Sequence, residues 1–221
     1  PIRTAMNDNK IKCDVKDYEG ATPLITLALF AYNQQKYIRE AVEAALAQTY
    51  ENLEIIISDD CSTDKTFDVM QDIVKNYRGD HKVILNRNDC NFGLAKHFNK
   101  LFEMSGGEIL VSAAGDDVSS PDRVKILADE FYRLPDDTMI VYSNGWKTDE
   151  KKQRIEKIGE SFRPQFPYNM ERILRKHRFL TGATMAWRRE LMQNFGLMRE
   201  DCQNEDITLL YRAVLCGRVA Y

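Results

Sequence analysis

Two hydrophobic rhythms alternate along this chain from Pro23 onward. One is a short uninterrupted apolar run: LITLALF (24–30), LEIIIS (53–58), KVILN (82–86) and EILVSA (108–113). Runs of this kind are expected of strands buried on both faces. The other is helical spacing. It appears at Ile38, Val42, Ala45 and Leu46; at Met70, Ile73, Val74 and Tyr77; at Leu94, Phe98, Leu101 and Phe102; and, after Pro121, at Val124, Leu127, Ala128 and Phe131. Strand and helix in alternation, with doubly buried strands, predict a Rossmann-like α/β fold, a mainly parallel sheet covered by helices on both faces.

From Trp146 to Leu180 the rhythm breaks. This stretch is charged, carries Pro164 and Pro167, and holds the basic run RILRKHR (172–178). The pattern resumes with TGATMAWR (181–188), read as a strand. A final helix follows, on which Ile207, Leu210, Tyr211, Val214 and Leu215 keep i, i+3, i+4, i+7, i+8 spacing. The chain thus divides into a polar lead-in, 1–22, a first half, 23–144, and a second half, 145–221. It has no initiator Met and stops after Arg218-Val219-Ala220-Tyr221, which reads as the start of another strand. A sequence trimmed at both ends is the expectation.

Composition narrows the classes. The 221 residues are 43% hydrophobic and 29% charged, as in a globular protein with a sizeable core. The net charge of −3 argues against a general nucleic-acid binder. No apolar run approaches the roughly 18 residues of a membrane span. The 5 cysteines (13, 61, 90, 202, 216) are dispersed, with no metal spacing, and read as reduced thiols of a cytoplasmic protein.

In an open parallel sheet, ligands bind beyond the carboxyl ends of the strands. Two of the predicted strands end there in paired carboxylates: Asp59-Asp60, and Asp116-Asp117 in SAAGDDVSSPDR (112–123). Helix capping accounts for their neighbours. Ser62 or Thr63 suits an N-cap with Asp64 in the first turn, and Ser120 suits another ahead of Pro121 and Asp122. The pairs themselves precede those caps. A carboxylate at the end of the second strand can accept the imide N–H of a uracil or thymine, which makes Asp59, with Asp60 beside it, a candidate nucleotide contact. Asp116 and Asp117 are either a turn or ligands of Mg²⁺ or Mn²⁺, which takes one or two carboxylates and completes its shell with water and phosphate oxygens. Glu205 and Asp206 open the final helix, where the dipole alone favours acids. His97 and Trp187 read as packing residues, and Trp146 as a residue that could stack on a sugar.

The segments FAYNQQKYIREAVEAALAQTYENLEIIISDDCSTDKT, NFGLAKHFN, SAAGDDVSSPDR and NEDITLLYRAVLCGRVAY occur in this order. Together they resemble family 2 glycosyltransferases of the GT-A fold, over residues 23 to 221. The resemblance implies inverting transfer from a nucleotide diphosphate sugar, UDP- or dTDP-linked, with Mn²⁺ or Mg²⁺. It places Tyr32 in the base pocket, Asp59 on the pyrimidine, Asp116 on the second Asp of the family's DxD metal motif with Asp117 beside it, and Asp206 on the catalytic base, with Glu205 adjacent. Ala114 departs from the pattern at the first Asp of DxD. The implied acceptor is a hydroxyl of a glycan or lipid-linked saccharide; RILRKHR reads first as a solvated helix face, and otherwise as a contact to a phosphate-bearing lipid acceptor at the inner face of a membrane.

Two other classes compete. A sugar nucleotidyltransferase would carry a Gly-rich phosphate loop after the first strand, whereas AYNQQKY has no glycine. A nucleotide-sugar-binding domain without activity would lack the base, whereas Asp206 is present.

Overall fold

The structure is a computed structural model that describes residues 22–149, 153–158 and 181–220. The lead-in before Thr22, the RILRKHR run and Tyr221 lie outside the described residues. In chain order the elements are β1 (Ile25–Ala31), α1 (Ile38–Leu46), β2 (Leu53–Asp59), α2 (Thr66–Asn76), β3 (Lys82–Arg87), α3 (Gly93–Met104), β4 (Ile109–Ala114), α4 (Arg123–Arg133), β5 (Thr138–Tyr142), β6 (Gly145–Thr148), β7 (Arg154–Ile158), β8 (Met185–Arg188), α5 (Glu190–Phe195), α6 (Glu205–Cys216) and β9 (Arg218–Ala220). The main sheet has 7 strands in the order β3-β2-β1-β4-β8-β5-β9. β8 alone runs against its neighbours β4 and β5, and β9 lies parallel to β5. β6 and β7 form a separate antiparallel hairpin. The mainly parallel sheet is as predicted.

Strand alternation divides the core between two faces. Leu27, Leu29, Ile55, Ile57 and Val111 pack with Ile38, Val42, Met70, Val124 and Phe131 of α1, α2 and α4. Leu110, Ile140 and Trp187 pack with Phe98 of α3, Leu191 of α5 and Leu209 and Leu210 of α6. Burying each such side chain contributes about 1.5–3 kcal/mol before ordering costs. Trp187 is 1% exposed and stacks on Phe98, with ring centroids 5.4 Å apart, as a core residue should. Trp146 instead stands exposed on the hairpin, under the Arg154 guanidinium at 5.1 Å from its ring centre.

The strand order fixes where a ligand can enter. From β1 the chain winds to β2 and β3 on one side, then crosses to β4 on the other. The carboxyl ends of β1 and β4 therefore flank the switch point, the crevice of a doubly wound sheet. β4 delivers Asp116 and Asp117 directly into it.

Candidate active site

Two loops build the first wall. Asp60 donates its backbone N–H to Ala31 O at 2.9 Å, which holds the ends of β1 and β2 together. Beyond them the loops are zipped by side chains: the amide of Asn33 donates to Ser62 Oγ (2.8 Å), that of Gln34 to Thr66 Oγ1 (2.8 Å) and that of Gln35 to Asp64 Oδ2 (3.2 Å). In return Thr63 N donates to Asn33 Oδ1 at 2.9 Å. Asn33 has φ 53°, a left-handed conformation that Asn tolerates better than most residues. Tyr32 is 45% exposed at this rim.

Capping here differs from the prediction. α2 starts at Thr66, and Asp64 Oδ1 accepts the Thr66 amide at 2.9 Å. Ser62 is drawn away from capping by Asp59, whose Oδ2 accepts its amide at 3.0 Å and whose Oδ1 accepts its hydroxyl. Asp59 is fully buried, and Arg87 Nε lies 3.4 Å from its Oδ2. Asp60, its neighbour, bonds to a different part of the chain. Its Oδ1 accepts Asn88 Nδ2 (2.7 Å) and Phe92 N (2.9 Å), and its Oδ2 accepts Gly93 N (2.9 Å). These buried oxygens hold three donors of the chain, so the Asp60 side chain anchors the start of α3. Behind it, Ser58 Oγ bonds His97 Nε2 at 2.7 Å and accepts Asn86 Nδ2 at 2.8 Å. Burial lowers the pKa of His97, against the pull of Asp60 and Asp59. The hydrogen-bonding role of His97 was not visible in the sequence, since its partner Ser58 lies on β2, far away along the chain.

The second wall is the loop after β4. Gly115 donates its amide to Phe30 O at 2.8 Å. A side chain there would lie 2.4 Å from Gln34 Oε1 and 2.9 Å from Ala31 Cβ, so only glycine fits at this crossing. Asp117 N closes a turn onto Ala114 O at 3.1 Å. Both Asp116 and Asp117 are exposed, and among the described residues neither carboxylate accepts a hydrogen bond or lies in an ion pair. Desolvation in the cleft raises the pKa of Asp117, the charge of Asp116 adds to the rise, and Arg123 opposes it. Two hard oxygen ligands without internal partners fit a divalent cation that draws its remaining ligands from water and phosphate. α4 starts at Arg123 and is not capped by Ser120: Gln48, beyond the end of α1, accepts Val124 N at its Oε1 (3.0 Å) and donates from Nε2 to Ser120 O (2.8 Å).

The third wall comes from α6. The predicted strand 181–188 begins only at Met185, because residues 182–184 form a 3₁₀ turn closed by Thr184 N onto Thr181 O at 2.9 Å. Glu205 and Asp206 occupy the first turn of α6 and back onto this turn. A Cβ on Gly182 would lie 3.0 Å from Glu205 Oε1 and 3.5 Å from Asp206 Cβ. Desolvation raises the pKa of Glu205, its own backbone amide counters this, and the charge of Asp206 adds to the rise. Asp206 Oδ1 accepts the amide of Ile207 at 2.7 Å, which orients the carboxylate.

The comparisons agree with this architecture. The Glycosyl transferase family 2 profile matches residues 26–196, so Glu205 and Asp206 lie beyond the matched segment. An uncharacterized glycosyltransferase of Rickettsia prowazekii is 28% identical over 184 residues, covering 81% of this chain and 54% of that protein. The chain thus spans about half the length of that relative. The Escherichia coli UDP-Glc:alpha-D-GlcNAc-diphosphoundecaprenol beta-1,3-glucosyltransferase WfaP is 36% identical over 94 residues, 42% of this chain and 36% of that protein. Among solved structures, S. aureus TarS (residues 1–349) in complex with UDP superposes with TM-score 0.66 at 19% identity, over 90% of this chain and 57% of that one. The Pyrobaculum calidifontis mannosyltransferase in complex with GDP-Man and Mn²⁺ gives TM-score 0.67 at 20% identity, over 90% and 55%. These two likenesses concern the fold. With the profile matched over more than half of its length and a GT-A sheet carrying acids at the switch point, the chain belongs to glycosyl transferase family 2.

Proposed function

We propose that the chain carries an inverting glycosyltransferase centre that moves a sugar from UDP or dTDP to a hydroxyl of a glycan or lipid-linked saccharide. The observation that carries this reading is the convergence of three acid-bearing segments on one edge of the sheet: Asp59 at the end of β2, Asp116-Asp117 after β4, and Glu205-Asp206 against Gly182. The relative WfaP, named as using UDP-Glc and 36% identical over 94 residues, supports the choice of nucleotide.

Each group then has a task. Asp59 accepts the imide N–H of the pyrimidine, in the place Arg87 holds in this structure, and Tyr32 lines the base. Asp116, with Asp117, would hold Mn²⁺ or Mg²⁺, which would neutralise charge on the departing diphosphate. The acceptor hydroxyl attacks the anomeric carbon from the face opposite the diphosphate. As the new C–O bond forms, the bond from that carbon to the diphosphate oxygen breaks, and Asp206 takes the hydroxyl proton. Glu205, whose raised pKa marks a desolvated carboxyl, lies beside it as a second acid on the same wall.

Thermal-shift titration with nucleotide sugars in the presence of Mn²⁺ tests the donor class. Stabilisation by UDP or dTDP compounds is expected, and a response to GDP-sugars alone would defeat the pyrimidine assignment.

A further inference from the structure

The antiparallel pairing of β4 with β8 stops at Val111 opposite Ala186. Beyond that point β4 continues to Ala114 beside β1, while the chain ahead of β8 swings off as the 182–184 turn. The side chain of Arg123 fills the space between the diverging segments. Its Nη2 donates to Ser112 O at 2.8 Å and to Ala183 O at 2.6 Å, and its Nη1 to Ser119 Oγ at 3.1 Å. The guanidinium thus replaces the ladder hydrogen bonds that the two strands no longer make with each other.

A purely structural filler would not need a charge. Arg123 is only 9% exposed, and burial brings its pKa down to about 10, with Asp117 opposing the drop. Burying a cation with no carboxylate in hydrogen-bond contact is costly, and an apolar side chain of similar length would avoid that cost only by leaving Ser112 O and Ala183 O without this donor. What the guanidinium adds is reach in three fixed directions. Its acceptors belong to β4, to the loop that carries Asp116 and Asp117, and to the turn whose Gly182 backs Glu205 and Asp206.

We infer that Arg123 is a positioning residue that locks the Asp116–Asp117 loop to the turn behind Glu205 and Asp206, so that donor diphosphate and acceptor hydroxyl meet at one separation. The catalytic consequence rests on the function proposed above, whereas the mechanical link does not.

Two readouts on the full chain separate them. In Arg123→Met, amide hydrogen exchange should quicken together in residues 115–119 and 182–184, by about tenfold or more, while β1 and β2 keep their protection. Arg123→Lys, which retains the cation and one contact, should fall between and serves if the Met variant does not fold. In the same variants kcat for transfer should drop by about 10- to 100-fold, the cost of a misplacement of about 1 Å, with the donor KM little changed. Guanidinium ion added to Arg123→Ala should restore part of kcat, a rescue that a merely weakened fold would not give. Exchange that quickens in one segment without the other overturns the link, and parent-like kcat in a variant where both have loosened overturns the positioning role. If the parent chain forms no glycosidic bond, the proposed function fails, and the exchange result still decides the link.

Discussion

Gly182 and Glu205 touch so closely that a side chain at Gly182 would lie 3.0 Å from Glu205 Oε1. The far end of a glutamate can yield by a few tenths of an ångström, so Gly182→Ala should stay within about 1 kcal/mol of the parent in stability. The acid pair would shift with it. Transfer should fall about tenfold while thermal unfolding hardly changes, because geometry at a reacting centre is less forgiving than packing at a turn. An unaltered initial rate would mean that the pair does not depend on this wall.

Glu205 gives a pH signature. Its folded pKa is raised above the ordinary value of 4.5, chiefly by desolvation. The folded state therefore holds the proton more tightly than the unfolded chain, and ionising the group opposes folding. That penalty is absent below pH 4.5, develops as pH rises through the folded pKa, and is complete above it. Glu205→Gln should raise the melting temperature at pH 7–8, and the gain should shrink as pH falls toward 4.5. A stabilisation independent of pH would exclude this origin.

Asp60 and Asp116 should behave in opposite ways. Asp60→Ala strands the amide of Phe92 and the side chain of Asn88 and leaves the Gly93 amide to Asn91 Oδ1 alone, with an expected cost of about 2–4 kcal/mol in denaturant unfolding. A loss below about 0.5 kcal/mol, the scale of an ordinary surface change, would contradict the anchoring role.

Asp116→Asn removes a carboxylate with no internal partner among the described residues, so the unfolding curve should stay close to the parent's. Calorimetric titration should instead show the Mn²⁺-dependent part of UDP affinity gone. Unchanged metal-dependent affinity would make the Asp-Asp pair a turn and nothing more.

These contrasts show which parts of the molecule were legible in the sequence. β1 to β4 were placed within about one residue, the usual tolerance for element boundaries, because short apolar runs have no other use in so regular an alternation, although β3, at the sheet edge, is not buried on both faces as predicted. β5, Thr138–Tyr142, was passed over although all of it is buried. It follows α4 closely and is short, so its run blends into the end of a helical pattern. The reversal of β8 was not predicted either, since an apolar strand carries no mark of its direction. The carboxylate pairs were visible as pairs, but the sequence could not divide their labour. Asp59 and Asp60 differ in role only because Ser62 lies three residues on, while Asn88 and Gly93 arrive from another loop. For the same reason Gln48 and Arg123 went unassigned: Gln48 bonds to Ser120 and Val124, and Arg123 to Ala183, all far away along the chain.

The central claim concerns Asp206. A sugar hydroxyl is too weak an acid to ionise at neutral pH, and a carboxylate that takes its proton in the transition state contributes roughly 10²–10⁴-fold in rate. The direct measurement is the initial rate of glycosidic bond formation by Asp206→Asn, with UDP and Mn²⁺ affinity measured on the same sample. The account predicts transfer reduced by at least about 10²-fold, with UDP and Mn²⁺ bound nearly as in the parent and Glu205→Gln less impaired. Transfer at the parental rate by Asp206→Asn would contradict it and move the base to Glu205 or to the 145–190 region.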